Sequence, residues 1–304
     1  MFSQASNFVE GVDQAFFVII GISLVFLVGI TFAMIFFVFK YNKKRNRVAI
    51  NVKESKRLEF IWTVIPTILV LVMFYYGWVG YAPMREIPDD AIAIKATGRM
   101  WSWSFEYENG KVSPTLVVPI DQAVKLNLFS PDVLHSLYIP AFRVKEDVVP
   151  GVNNKMWFRA GVLGEYDILC AEYCGDRHSY MLSKVEVLSQ DDYDAWYNAE
   201  DSSANDAEAG LKILQANGCI ACHSLDGTRI VGPTFKGLWN STKTVTTGVV
   251  TRQVTADETY IRESIYDPSK DIVESYPKVM ISYKDAISED QLKKINAYLK
   301  SIAK

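Results

Sequence analysis

Two long apolar runs dominate the first third of the chain. From Phe16 to Phe39 the sequence FFVIIGISLVFLVGITFAMIFFVF carries no charge, and its 24 residues span about 36 Å as a helix, enough to cross a bilayer. A second uncharged run, Phe60 to Met84, is of similar length and contains Pro66, which a membrane helix tolerates when neighbours satisfy the freed carbonyl. Trp62 and the group Tyr75, Tyr76, Trp78 and Tyr81 suit the two membrane interfaces. Buried helices of a soluble protein are the alternative, but uncharged runs this long are rare there. The pattern predicts a transmembrane helix hairpin over 15–84, with helices at 15–39 and 60–84, after an N-terminal segment, 1–14.

The loop between the helices, 40–59, holds Lys40, Lys43, Lys44, Arg45, Arg47, Lys53, Lys56 and Arg57, whereas the residues before Phe16 include Glu10 and Asp13 and no base. The excess of positive charge places this loop in the cytoplasm and both ends of the chain outside. The first run lacks a basic flank before it and a small-residue cleavage site after it, so it reads as a retained anchor in a lipid bilayer. The expected location is a bacterial inner membrane, with everything after about Tyr81 facing the periplasm.

From Ala91 to about Leu188 the period changes to short alternating or β-branched segments: IAIKA, WSWSFEY, TLVVP, AVKLNLF, SLYIP, KMWFRAG, EYDILC and SKVEVL. Turn residues separate them, which predicts an antiparallel, all-β sandwich or barrel domain over 85–188. The acidic, small-residue-rich stretch that follows reads as a linker, 189–206. From 207 to 304 the pattern is helical at both ends, and the closing helix has Ser288 and Gln291 as a capping box and Leu292, Ile295, Leu299 and Ile302 as one apolar face.

Composition narrows the chemistry. The 304 residues carry a net charge of −3 with no basic run outside the loop, so an electrostatic footprint for nucleic acid is missing. The chain has four cysteines and three histidines, and all seven fall into two constellations, which points to bound cofactors over a disulfide framework.

The first constellation is Cys170-Ala-Glu172-Tyr-Cys174-Gly-Asp-Arg-His178-Ser-Tyr-Met181, with His135 thirty-five residues upstream on a preceding strand–loop junction. Two thiolates, imidazole and a thioether favour copper. On the residues alone zinc and a periplasmic disulfide stay open, although zinc leaves Met181 unexplained and the spacing differs from the common finger pattern. The second constellation, Cys219-Ile-Ala-Cys222-His223, is the attachment pattern for haem c: two thiols bond the porphyrin and the adjacent His ligates iron. No His follows His223 and the domain has a single Met, which makes Met280 the candidate for the sixth ligand.

CAEYCGDRHSYM, with DVLHS upstream, resembles the binuclear copper centre of cytochrome c oxidase subunit II, a family in the haem–copper oxidase group. LEFIWTVIPTILVL resembles that family's second helix and GRMWSWSFEY its aromatic segment, so the resemblance covers most of residues 15–190. The last domain resembles class I cytochromes c: YPKVMISY stands where they place the axial Met, though without the frequent Met-Pro, and Gly232-Pro233 resembles the loop that supports the proximal His.

The resemblance implies an all-α cytochrome c domain at the end of the chain and a cupredoxin-like sandwich in which Cys170 and Cys174 bridge two copper ions. His135 and His178 each bind one, and Met181 and the Glu172 carbonyl complete the set. It makes the Glu172 carboxylate a ligand for magnesium shared with subunit I, Trp101 a candidate for electron intake, and Glu59 a candidate for the mouth of a proton channel. The implied function is electron delivery within a proton-translocating oxidase, from a cytochrome c or another periplasmic or membrane-bound donor, through haem c and copper A, to subunit I, with further oxidase subunits as partners. A copper-A nitric oxide reductase subunit is the alternative with the same chemistry. A copper carrier has little use for haem, and a quinol-oxidising homologue lacks the copper ligands that are present here.

Overall fold

A computed structural model describes residues 5–45, 48, 53–199 and 205–303. Helix α1 (Val9–Lys40) and helix α2 (Lys56–Tyr81) form an antiparallel pair whose apolar side chains are largely bare, Phe32 being 69% and Phe60 67% exposed. That surface fits lipid and not water. Ser55 caps α2 by accepting from the Leu58 amide, and near Pro66 the Thr67 hydroxyl donates to the Thr63 carbonyl. At the end next to the sandwich the two backbones meet at Gly11 and Gly80, where a Cβ on Gly80 would lie 3.4 Å from the Gly11 carbonyl oxygen. Arg47 lies outside the described residues.

Helix α1 begins earlier than its uncharged run implies, so residues 9–14 are the root of the helix and not a free extension. Its start is clasped to the sandwich: Asn7 donates from its amide to the Arg159 carbonyl, Ser6 Oγ to the Phe142 carbonyl, and Arg143 Nε to Asp13 Oδ1 at 2.8 Å.

The sandwich has ten strands: β1 (Ile92–Arg99), β2 (Ser102–Glu106), β3 (Val112–Ser113), β4 (Leu116–Pro119), β5 (Ala123–Phe129), β6 (His135–Ile139), β7 (Val144–Val148), β8 (Asn154–Arg159), β9 (Gly164–Cys170) and β10 (Leu182–Leu188). They form two five-stranded sheets, ordered β3-β2-β1-β5-β8 and β4-β10-β9-β6-β7. Alternation puts Ile94, Trp103, Phe105, Leu126, Leu137 and Ile168 into the core between them. The pairing is not purely antiparallel: β1 runs parallel to β5, and β4 parallel to β10. Each of these pairs joins strands that are distant in sequence, so no hairpin turn fixes its direction.

The stretch expected to be a linker opens with helix α3 (Gln190–Asn198), capped by Ser189 and packed on the sandwich. Tyr193 is buried, Trp196 sits edge-on to Tyr107 at 4.9 Å, and Asn109 donates from its amide to the Tyr197 hydroxyl. Linker residues 200–204 lie outside the described set.

The last domain contains α4 (Asp206–Ala216), α5 (Glu258–Tyr266) and α6 (Glu289–Ser301), with a small sheet of β11 (Thr242–Thr247), β12 (Val250–Thr255) and β13 (Ile272–Val273) beside them. The Ser288–Gln291 capping box is present, and Leu292, Ile295 and Leu299 are buried against Leu214 and Phe235. Helices α4 and α6 cross at Gly210, where any Cβ would overlap the Lys294 carbonyl oxygen.

Candidate metal centre and adjoining cleft

The copper-type constellation converges at one end of the sandwich. His135 opens β6, Cys170 closes β9, and the loop from Cys170 to Met181 folds back so that its donors meet the buried His135. Cys170 Sγ lies 3.8 Å from Cys174 Sγ, 3.9 Å from His135 Nδ1 and 3.2 Å from the Glu172 carbonyl oxygen. Cys174 Sγ lies 3.5 Å from His178 Nδ1 and 3.8 Å from Met181 Sδ.

Each sulfur therefore has its own histidine, and the remaining two donors sit one on either side. Two thiols, two imidazoles, a thioether and a carbonyl make a donor set that suits a soft metal such as copper, and a single tetrahedral zinc would leave part of it unused. The cysteines are free thiols, not a disulfide.

Electrostatics agree with a site built for cations. Burial would raise Cys170, but contacts with His135, Ser136 and Glu172 overcome it and pull the thiol down to about 6. Burial and the neighbouring Cys170 charge push Cys174 up to about 12. One sulfur is thus readily anionic, and a bound cation would offset the burial and the like charge that hold the other protonated.

Asp132, three residues before His135, completes the geometry and was not singled out from the sequence. Its Oδ1 is 2.9 Å from His135 Nε2, and its Oδ2 accepts from the Met100 amide at 2.8 Å. Burial opposes both charges of this pair, yet their mutual attraction leaves Asp132 below and His135 above its ordinary value. The carboxylate fixes the ring so that Nδ1 faces the sulfur, the usual outer-shell role behind a metal-binding imidazole. Its only sequence signal is the i, i+3 spacing of an acid before a ligand.

The Glu172 carboxylate points away from the cage, 3.7 Å from Lys145 Nζ. One carboxylate beside a lysine does not make a magnesium site within this chain. Glu59 is exposed in the first turn of α2, far in sequence from every other candidate.

The second constellation lines an apolar cleft of about 1380 Å³, counting its open mouth, in the last domain. Cys219, Cys222 and His223 form one side, and Met280 lies on the lining of the same cleft. The Pro233 carbonyl accepts from His223 Nδ1 at 2.6 Å, leaving Nε2 as the free lone pair. Burial holds this imidazole below its ordinary value, so it stays neutral and able to ligate. A Cβ on Gly232 would come within 2.6 Å of the ring, and Phe235 stacks on it at 4.6 Å. An apolar, slot-like cleft with two thiols and an oriented imidazole at one wall fits a covalently attached haem.

The two sites share a wall. Met100 and Trp101 of the sandwich line the cleft, the Cys222 Sγ is 3.8 Å from the Met100 carbonyl oxygen, and Trp101 Nε1 donates to the Cys174 carbonyl at 3.0 Å. Trp101 is only 5% exposed.

Fold and sites together define a membrane-anchored electron-transfer protein with two redox domains. Family profiles described as "Cytochrome C oxidase subunit II, transmembrane domain", "Cytochrome C oxidase subunit II, periplasmic domain" and "Cytochrome c" match residues 1–77, 110–188 and 207–303. Cytochrome c oxidase subunit 2 of Alkalihalophilus pseudofirmus is 31% identical over 302 residues, covering 93% of this chain and 85% of that one. An alternative cytochrome c oxidase subunit 2 of Bradyrhizobium diazoefficiens is 32% identical, covering 56% and 73% respectively. Among solved structures, the periplasmic domain of cytochrome oxidase subunit II of Bradyrhizobium japonicum aligns at 32% identity over 36% of this chain and 94% of that one, with a TM-score of 0.35. The chain belongs to the cytochrome c oxidase subunit II family, joined to a cytochrome c domain. Membership makes it a component of a haem–copper oxidase and implies copper A in the sandwich and haem c in the last domain.

Proposed function

We propose that this chain accepts electrons at its cytochrome c domain and delivers them through a binuclear copper A centre to subunit I, where oxygen is reduced and protons are translocated. His135, Cys170, Cys174, His178, Met181 and the Glu172 carbonyl hold the two copper ions; Cys219 and Cys222 anchor the haem, and His223 and Met280 ligate its iron. Bound there, both groups supply one-electron transfer and no bond-making chemistry.

The observation that carries this reading is Trp101. Its ring forms part of the wall of the haem cleft while its Nε1–H is hydrogen-bonded to the backbone of copper ligand Cys174. A single buried side chain therefore bridges the two sites. The protein's own residues hold, orient and insulate the two centres, while the oxidase chemistry belongs to the partner. The basic loop supports an orientation with both redox domains on the periplasmic side. The Glu172 carboxylate contributes to a magnesium site only if subunit I supplies the other ligands, and Glu59 stands at the cytoplasmic start of α2 as the proton-channel candidate. A cytochrome c, or another donor at the periplasmic face, provides the electrons.

The test is metal and optical analysis of the full chain, produced with copper and haem c maturation. Two coppers and one covalent haem per chain are expected, and one zinc or no copper would overturn the reading. In Trp101→Phe, which keeps a ring but removes Nε1–H, both centres load and transfer between them slows about tenfold, equivalent to a barrier higher by ~1.4 kcal/mol; an unchanged rate in flash-initiated kinetics would remove Trp101 from the path.

A further inference from the structure

The seam between the copper and cytochrome domains partly buries two arginines that have no ion-pair partner among the described residues. Arg99, the last residue of β1, lies over the Tyr283 ring at 4.7 Å, and its Nε and Nη1 are buried with no hydrogen-bond partner among the described residues. Arg177, in the copper loop, stacks on Tyr180 at 4.9 Å, and its Nε is likewise buried and unpartnered. Neither forms an ion pair with a carboxylate among the described residues. The acid at the seam, Asp132, is committed to His135 and the Met100 amide.

The seam is closely fitted, because a Cβ on Gly218, next to Cys219, would overlap Ser102 Oγ. Within it Arg99 precedes Met100, whose carbonyl oxygen lies 3.8 Å from Cys222 Sγ, and stacks on Tyr283, which lines the haem cleft, while Arg177 lies within electrostatic range of Cys222. Two positive charges from one domain thus sit beside the haem-attachment cysteines of the other.

A buried cation without a full set of hydrogen bonds is costly to folding. What such a charge does in a poorly screened seam is act on neighbouring charge. The oxidised form of a haem site carries one more positive charge than the reduced form, and local charge and burial set the potential of such centres. We infer that Arg99, seconded by Arg177, is a tuning residue that favours the reduced state of the haem held at Cys219, Cys222 and His223, and does so only while the two domains are docked. The linkage is reciprocal: whatever factor docking adds to the ease of reduction, reduction adds to the strength of docking. The domain would then hold most tightly to the copper wall when it has an electron to give.

This rests on the haem and copper assignments of the preceding section, and the experiment separates the two. Redox titration of the full chain follows the haem in the visible and copper A in the near infrared. Arg99→Gln is expected to lower the haem's reduction equilibrium constant about tenfold, about 59 mV for one electron, with a smaller change at copper. Arg99→Lys, which keeps the charge and loses the fork, is expected to restore most of it. Arg177→Gln, which leaves β1 untouched, carries the same direction if Arg99→Gln fails to fold. A haem midpoint indifferent to both glutamine variants, or lowered equally by Arg99→Gln and Arg99→Lys, overturns the charge assignment. A wild-type chain without covalent haem overturns the functional reading instead.

Discussion

The copper loop and the haem cleft hold their cofactors by opposite means. All the proposed copper donors come from one domain, and the deepest of them are locked by hydrogen bonds: His135 by Asp132, and the Cys170 sulfur against the Glu172 carbonyl. The cleft is apolar and wide, orients its imidazole through a single carbonyl, and takes part of its wall from the neighbouring domain. A compact ion pair can be enclosed by a dozen residues of one fold. The haem-type cleft counts Met100, Trp101 and Asp132 of the sandwich among its lining residues. The copper site is therefore self-contained, whereas the haem site is finished by docking.

The contrast can be tested in order of expected effect. Cys174→Ser removes a bridging ligand and should abolish copper binding entirely while covalent haem stays at one per chain; loss of haem in the same variant, read by metal analysis and absorbance, would mean that the sites are not independent. Asp132→Asn keeps every ligand but loosens the ring of His135, and should weaken copper binding about 10–100-fold in competition titrations, the usual cost of an outer-shell partner. Ser288→Ala deletes the cap of α6 and should cost the cytochrome domain ~1 kcal/mol with copper unaffected, seen as an earlier loss of the haem band on chemical denaturation.

Legibility in the sequence followed the same divide. The cysteine clusters of both proposed sites were legible because they crowd into short stretches, CAEYCGDRHSYM and CIACH, whereas His135 and Met280 stand apart from them; the helix hairpin was legible because lipid demands an unbroken apolar run. Eight strand-like segments became strands, but β7, VKEDV, was hidden by three charged residues on a strand with only its ends buried, and β3 by its two-residue length. Helix α3 was overlooked because its acids resemble a linker; the signal was Tyr193, Trp196 and Tyr197 at helical spacing. The β11–β12 hairpin hid among polar threonines. The seam itself, with Arg99, Met100 and Tyr283, has no local period to betray it, since it depends on how two separately folded surfaces meet.

The clasp at the start of α1 bears on how the protein is made. The Arg159 amide donates to Asn7 Oδ1 across a sequence separation of 152 residues. A ribosome extends a chain at about 5–20 residues per second, so the partner for Asn7 emerges many seconds after it. Until then the N-terminal end of helix α1 lacks this contact, and the closing of so long a loop is slow. Assembly of the anchor and folding of the copper domain thus finish as one event, and a chain truncated before β8 would insert into the bilayer with its first helix unmoored.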